Sequence, residues 1–430
     1  MYKLKTLGSS TKQWHSTLVR TRIALGYFVL VGALGLLLRW QVVGPIEGLN
    51  YKNFLHAHSH VALLGWLYCA LFAALLYVFP PASEAKSKSF KRQFLITQVA
   101  VNGMLFSFPV QGYALFSIIF STLHILLSYW FAWSFWRHVK EDQYLWQKHG
   151  ISLNFIGLSL LFMVLSSIGP WAMGPIMATG GAGGKLYYSA IYFYLHFQYN
   201  GWFAFAVLGL FFWLLDHKGI GYQKVLAMRV LWLLGVACVP AVILSFLWIK
   251  PAAVWYWVSG AGAVLQVVAL VYFLKLLWQI RAELMQRFAN WVQGLFGMAL
   301  FCLSVKLMMQ LVSAFPAMAD LAYQIRYFII GYLHLSLLGF ASMFLVGFFL
   351  EQKLYQLKWL AKLGLGFLVL FFVVTEALLF LQGTLLWLQL PTLPDFNLIM
   401  FVTSIGMPLG LLLFFFSQPG LSKTARKPAL

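Results

Sequence analysis

Long apolar runs joined by short polar connections dominate this chain. A helix needs about twenty predominantly apolar residues to cross a bilayer. Twelve runs reach that length: 23–41, 54–79, 93–110, 113–136, 151–171, 187–215, 226–248, 253–276, 291–313, 327–350, 360–385 and 396–417. The expected fold class is all-α, a polytopic membrane protein of about twelve transmembrane helices forming a single membrane domain over residues 1–430. The pair 93–110 and 113–136 is divided only by Val110-Gln111-Gly112. The longest connections, Trp171–Leu186 and Ala314–Arg326, leave no room for a large soluble domain. The tract Thr179-Gly180-Gly181-Ala182-Gly183-Gly184 lacks a following Lys-Ser/Thr and a preceding strand, so it reads as a flexible turn and not a phosphate loop.

Composition agrees with the pattern. Hydrophobic residues make up 62% and charged residues 9%, whereas a soluble domain sits near half apolar and a quarter charged. Lipid is therefore the expected solvent. The net charge of +20 raises the question of nucleic acid, but the cations sit in connections between apolar runs, the pattern that orients membrane helices. With the N-terminus inside, the inside segments hold twenty-three Lys and Arg, and the outside loops hold four: Lys52, Lys185, Lys250 and Arg326. Nucleic acid is not an expected partner. A bacterial-type inner membrane with both termini cytoplasmic is the expected location. The basic stretch Met1–Arg22 precedes an apolar run that ends at Arg39-Trp40 and not at a small-residue cleavage site, which reads as an uncleaved first span. Cys69, Cys238 and Cys302 are far apart in apolar runs and show no disulfide or metal-ligand spacing.

A motif recurs every fourth span. His60-Val-Ala-Leu-Leu-Gly65-Trp66 lies in the second span, His196-Phe-Gln-Tyr-Asn-Gly201-Trp202 in the sixth, and His334-Leu-Ser-Leu-Leu-Gly339-Phe340 in the tenth. The histidines are 136 and 138 residues apart, which predicts three units of four helices around a pseudo-threefold axis. Each follows its span's start by six to nine residues, or roughly 9–14 Å at helical rise, so the three imidazoles are expected in one layer. Intramembrane histidines usually face a bundle interior and have a function. Neutral imidazole is a common metal ligand, and two histidines from different helices can hold a haem iron from opposite faces. The glycines Gly65 and Gly339 are expected to let a bulky group approach the backbone. His56 and His60 share a helix face and His58 points away, so His56 and His60 either chelate one metal or divide ligation and hydrogen bonding between them. The bland alternative is histidines that hydrogen-bond across the bundle. His124 carries no motif and reads as structural, and His15, His138, His149 and His217 are expected in water.

At these residues the chain resembles subunit I of the haem–copper oxidases, especially the cbb-type oxidases and their nitric oxide reductase relatives, and more loosely the NnrS-like haem and copper membrane proteins. The resemblance covers the twelve-span topology and about thirty residues of motif. It implies a low-spin haem b held from the Leu55-His56 region and His334, and a copper role for His196, with His58 as a further metal candidate. Two departures bear on this. Span seven has no histidine pair, and Tyr332 stands where the family's tenth span carries a further histidine. A three-histidine copper centre cannot then be assembled in the family's way, and the retained low-spin haem is the main expectation, with an electron-donor subunit or cytochrome as partner.

Arg39 and Arg326, near the outer ends of spans one and ten, suit haem propionates or interfacial anchoring. Lys306 and Glu376 lie deep in spans nine and eleven, where charges usually pair or serve a proton path. An ion pair between them and outward snorkelling of Lys306 stand as alternatives. Besides a haem-binding redox protein, the pattern admits a transporter of protons or metal ions and a non-catalytic haem or copper sensing or assembly protein. No Cys-x-x-Cys-His stands in the chain, so any haem is expected to be non-covalent.

Overall fold

The computed structural model describes residues 2–419, with side chains placed from His15 onward. The expected cations Lys3, Lys5, Lys12, Lys423, Arg426 and Lys427 lie outside the described side chains. Among the described residues every regular element is a helix, with no strand. Twelve helices are long and apolar enough to cross a bilayer: His15–Val43, Tyr51–Val78, Glu84–Gln111, Leu115–Lys140, Gln143–Ala178, Lys185–Lys218, Lys224–Ile249, Ala253–Arg287, Asn290–Ser313, Arg326–Glu351, Trp359–Trp387 and Phe396–Phe416. Each coincides with one expected run. The protein is an all-α, multi-pass membrane protein.

The differences lie at the ends of elements. The polar N-terminal stretch continues the first span as one helix from Tyr2. The fifth span does not stop at Trp171. It runs on to Ala178, since Pro175 sits in a last turn whose carbonyls accept from Gly180 and Gly181. The connection 314–325 contains a short helix, Pro316–Gln324, with proline at its first turn, where its missing N–H costs nothing. The weakest expected boundary is real: Gly112 takes φ +61° after Gln111, a conformation that favours glycine, and an added Cβ there would sit 2.6 Å from Asn53 Oδ1. In the seventh span Pro240 is followed by a tighter 3₁₀ stretch, Val242–Ile249.

Contacts divide the chain into two compact units. The first comprises the chain up to Phe131, Phe348–Gln382 and the chain from Pro391. The second comprises Ala132–Gly347 and Gly383–Leu390. Within the first, Phe28 of span one stacks flat on Trp66 at 4.4 Å, and Tyr355 donates from its hydroxyl to Thr21 O at 2.8 Å. In the second unit spans five and six pack through small residues. Ser152 Oγ donates to Gly209 O at 2.7 Å, and an added Cβ at Gly209 would lie 2.7 Å from Ile156 Cγ1.

The three motif spans stand apart from the rest. Along their most apolar stretches the second, sixth and tenth have 89%, 94% and 78% of residues buried, against 33–56% for the other nine. A helix that is apolar all round and enclosed by protein has no lipid face, so polar groups on it must find protein partners or a ligand.

Candidate functional site

Each motif histidine is followed immediately by a π-helical turn: Val61–Leu67 after His60, Phe197–Phe203 after His196, and Leu335–Ser342 after His334. The wider hydrogen bonding is explicit where Tyr68 N–H reaches Leu63 O and Met343 N–H reaches Leu338 O. A π turn accommodates an extra residue, is rare, and concentrates at functional sites. Its recurrence at one motif position in three spans extends the sequence repeat to the backbone.

The motif glycines do not face open space. An added Cβ at Gly65 would meet the Tyr27 ring at 3.0 Å, and one at Gly201 would fall on Cβ of Phe162 with its Cγ at 2.8 Å. Gly65, expected to admit a ligand, instead admits a neighbouring helix, because spans one and two cross there. Gly339 is buried in its π turn.

In the first unit, His56 and His60 share a face as helical spacing requires. Both rings lie against Phe108, with centroids 5.9 and 4.3 Å away, and against Tyr113 at 4.6 and 5.8 Å. His60 Nδ1 is 2.8 Å from His56 O. A carbonyl only accepts, so Nδ1 carries the proton and Nε2 presents its lone pair. The Tyr113 hydroxyl lies 3.2 Å from that Nε2. His56 Nε2 is buried with no hydrogen-bond partner. His58 faces elsewhere: its Nδ1 donates to Val31 O at 3.1 Å, and its ring lies against Gly35. It is thereby separated from the other two histidines. His124 is buried, lies edge-on to Tyr68 at 4.7 Å, and also leaves Nε2 without a partner. Arg39 is half-buried in the span-one helix.

In the second unit, His196 is 1% exposed. Its Nε2 donates to Cys238 O at 2.8 Å, and its Nδ1 accepts from the Asn200 amide at 3.0 Å. One neutral tautomer satisfies both bonds, so neither nitrogen is left for a metal. The copper role expected of His196 does not fit this geometry. Around it lie the Cys238 thiol, 3.8 Å from Nε2, and Tyr199, whose ring packs on Tyr332 at 5.7 Å. The Lys306 ammonium stands 5.8 Å from the Tyr199 centroid. Lys306 is 1% exposed, so it does not snorkel to an interface. Its expected partner Glu376, itself buried, belongs to the first unit. The Tyr332 hydroxyl lies among Tyr199, Asn200 and Ser336. His334 is half-buried and Arg326 exposed at the start of its span. Among the described residues no group of three or more His, Cys, Asp or Glu is gathered to hold a metal ion.

Two expectations about solvation are corrected. His138 and His149 are buried, not solvated. Residues 143–150 are helical, and a kink at His149 (φ −125°, ψ 26°) accompanies the placement of its Nδ1 3.2 Å from Asp216 Oδ2. The Tyr222 hydroxyl donates to the other Asp216 oxygen at 2.9 Å. His15 and His217 are exposed, as expected, with His217 stacked on Trp213 at 4.5 Å. Sequence reasoning missed Tyr113, Asn200 and Cys238 as histidine partners. For Asn200 a signal existed, since it is i+4 from His196 and therefore on the same helix face.

No known protein-family model matches the chain, and no curated protein is found similar to it.

Proposed function

We propose that this protein is a haem-binding redox protein of the membrane, related in plan to oxidase subunit I, with a low-spin haem b held from the second span. The observation that carries the reading is the buried His56 Nε2 without a partner. It sits beside a second imidazole whose tautomer is fixed by a carbonyl, at the head of a π turn that recurs in three spans. The His60 ring, anchored through Nδ1 to a backbone carbonyl, has the usual outer-shell arrangement of a metal-bound histidine, which fixes the ring and raises its basicity, and this keeps His60 as the second candidate ligand beside His56. An uncompensated imidazole nitrogen in an apolar interior is costly, and an iron ligand bond removes that cost.

In this reading His56 ligates. His60 acts as its neighbour, tied to His56 O and to Tyr113, and is the second candidate ligand. Haem bound there supplies a one-electron carrier whose potential depends on axial ligands and burial. The protein's own part is to hold the imidazole in orientation, exclude water through Phe108 and Tyr113, and offer Arg39 as a counter-charge for propionates. An electron-donor subunit or cytochrome would be required for turnover. Since both His196 nitrogens are engaged, no copper step is derived. The charge bias of the connections supports cytoplasmic termini and a bacterial-type inner membrane in this reading.

The test is the reduced-minus-oxidised absorption spectrum of protein purified from haem-supplemented cells. A Soret and an alpha band are expected, lost in His56→Ala. His60→Ala and His334→Ala, measured separately, identify further ligands. A spectrum without either band in the unsubstituted protein refutes the reading.

A further inference from the structure

Lys306 has no role in the haem reading, and it is the least expected residue of the second unit. A buried ammonium is costly unless an opposite charge compensates it. Among the described residues no ion pair includes Lys306. Beside it are the Tyr199 face and the Cys238–His196 pair, none of which carries a fixed negative charge.

One turn along the same helix face is Gln310, and Gln310 lines a cavity of about 190 Å³. The polar wall of that cavity includes Tyr199, Ser245, Trp248, Gln310, Tyr323 and Tyr332, and no Asp or Glu lines it. Tyr199 thus belongs both to the wall and to the surface under the ammonium. One wall group is an unused donor: Trp248 leaves its buried indole N–H without an acceptor. The Trp248 ring is held flat against Tyr323 at 5.2 Å, so the N–H is aimed by packing. Tyr323 comes from the short helix Pro316–Gln324, which Lys250 ties down through Asp320 at 3.2 Å. A liquid water takes about 30 Å³, so the space suits a small ion with a few waters and not a large cofactor.

We infer that the second unit binds a small monoanion with oxygen acceptors, a carboxylate or an inorganic oxyanion, in this cavity, on the hydroxyl, amide and indole donors of its wall; Lys306, which is not itself a wall residue, stands behind Tyr199 and supplies the attracting charge. The ion supplies the charge that Lys306 lacks, and its oxygens accept from Trp248 Nε1–H and the tyrosine hydroxyls. Fixed donors around a cation in a region of low dielectric favour an anion more than the same groups would in water. The inference does not depend on haem.

The test uses the full chain purified in detergent, with its thermal unfolding midpoint followed against sodium formate and acetate in one arm and sodium nitrate and nitrite in the other. Ionic strength is held constant with chloride. A saturable rise in at least one arm is expected, and the arm that responds identifies the source chemistry. Lys306→Met is expected to abolish the saturable response. Gln310→Leu and Trp248→Phe should each weaken it roughly ten- to a hundredfold, the usual loss for one hydrogen bond to a charged group. No saturable rise in either arm overturns the inference, as does an identical response in Lys306→Met. If Lys306→Met does not fold, unchanged half-saturation in both other variants overturns it.

Discussion

The motif glycines offer a direct test of how the repeat works, and Gly201→Ala is the sharpest case. Replacing glycine by alanine inside a helix is ordinarily favourable by about 1 kcal/mol. Here the new methyl would fall on Cβ of Phe162, with Cγ at 2.8 Å. A ring can rotate aside, but Cβ is fixed to the fifth span's backbone, so two helices must separate. Overpacking of this kind costs roughly 1–3 kcal/mol, at the upper end when backbone must move. The net expectation is a loss of about 1–2 kcal/mol. At Gly65 the neighbours are the Tyr27 ring and its Cβ at 3.0–3.2 Å, beyond the closest contact at Gly201, so clash and helix propensity should roughly cancel. Gly294, with nothing within 4 Å, is the control and should gain about 0.5–1 kcal/mol. A thiol-reactive fluorophore suits the assay, because Cys69, Cys238 and Cys302 are all buried and react on unfolding. Pairing Gly201→Ala with Phe162→Ala should rescue little, since the offending Cβ remains. If Gly201→Ala is as stable as the unsubstituted protein, or matches Gly294→Ala, then the glycine is not a helix contact and the reasoning fails. Loss of a bound chromophore without loss of stability would return the glycines to the ligand-admitting role their spacing suggests.

Two further outcomes follow from packing and charge. Spans eleven and twelve touch through a glycine pair, where an added Cβ at Gly364 would meet Gly410 O at 2.6 Å and one at Gly410 would meet Gly364 O at 2.5 Å. Either Gly→Ala change should therefore destabilise by about 1–3 kcal/mol in the same thiol assay, and neutrality of both would refute the close crossing. Burial, and then the Asp216 carboxylate, push the Tyr222 phenol above its ordinary value. Its contribution is therefore whole below a tyrosine's unfolded pKa of about 10 and declines as pH rises beyond it. Tyr222→Phe should cost about 1 kcal/mol near neutrality and show a shallower alkaline loss of melting temperature, whereas parallel pH profiles would exclude Tyr222 as the titrating group.

Much of the architecture was legible in the chain because the bilayer acts on each segment locally. A run of apolar residues must be helical to satisfy its backbone in lipid, and its length is matched to the membrane. Hence all twelve spans, including the pair divided only at Val110-Gln111-Gly112, appear where hydropathy placed them. The repeat of His60, His196 and His334 was legible for the same reason, as a spacing along helices. Its π turns were not, since an α and a π turn can be built from the same apolar residues and only the packing around them selects between the two.

The chemistry of each histidine was decided by other helices. Nothing local to His196 announces that Cys238 O, 42 residues later, takes its Nε2 proton. Nothing around His149 shows that Asp216 draws it out of water. The short-range pairing of His60 Nδ1 with His56 O is the exception, four residues away on one helix, and it is the part of the candidate haem site that spacing did foreshadow. The sequence by itself determined span number, helical class and the three matched histidine positions, because lipid solvation and helical rise are properties of contiguous residues. Only tertiary structure decided which imidazole nitrogens are satisfied, that Lys306 faces tyrosine rather than lipid, and that Gly65 and Gly201 receive Tyr27 and Phe162, because hydrogen bonds and close packing are made by groups that meet only when separate helices cross.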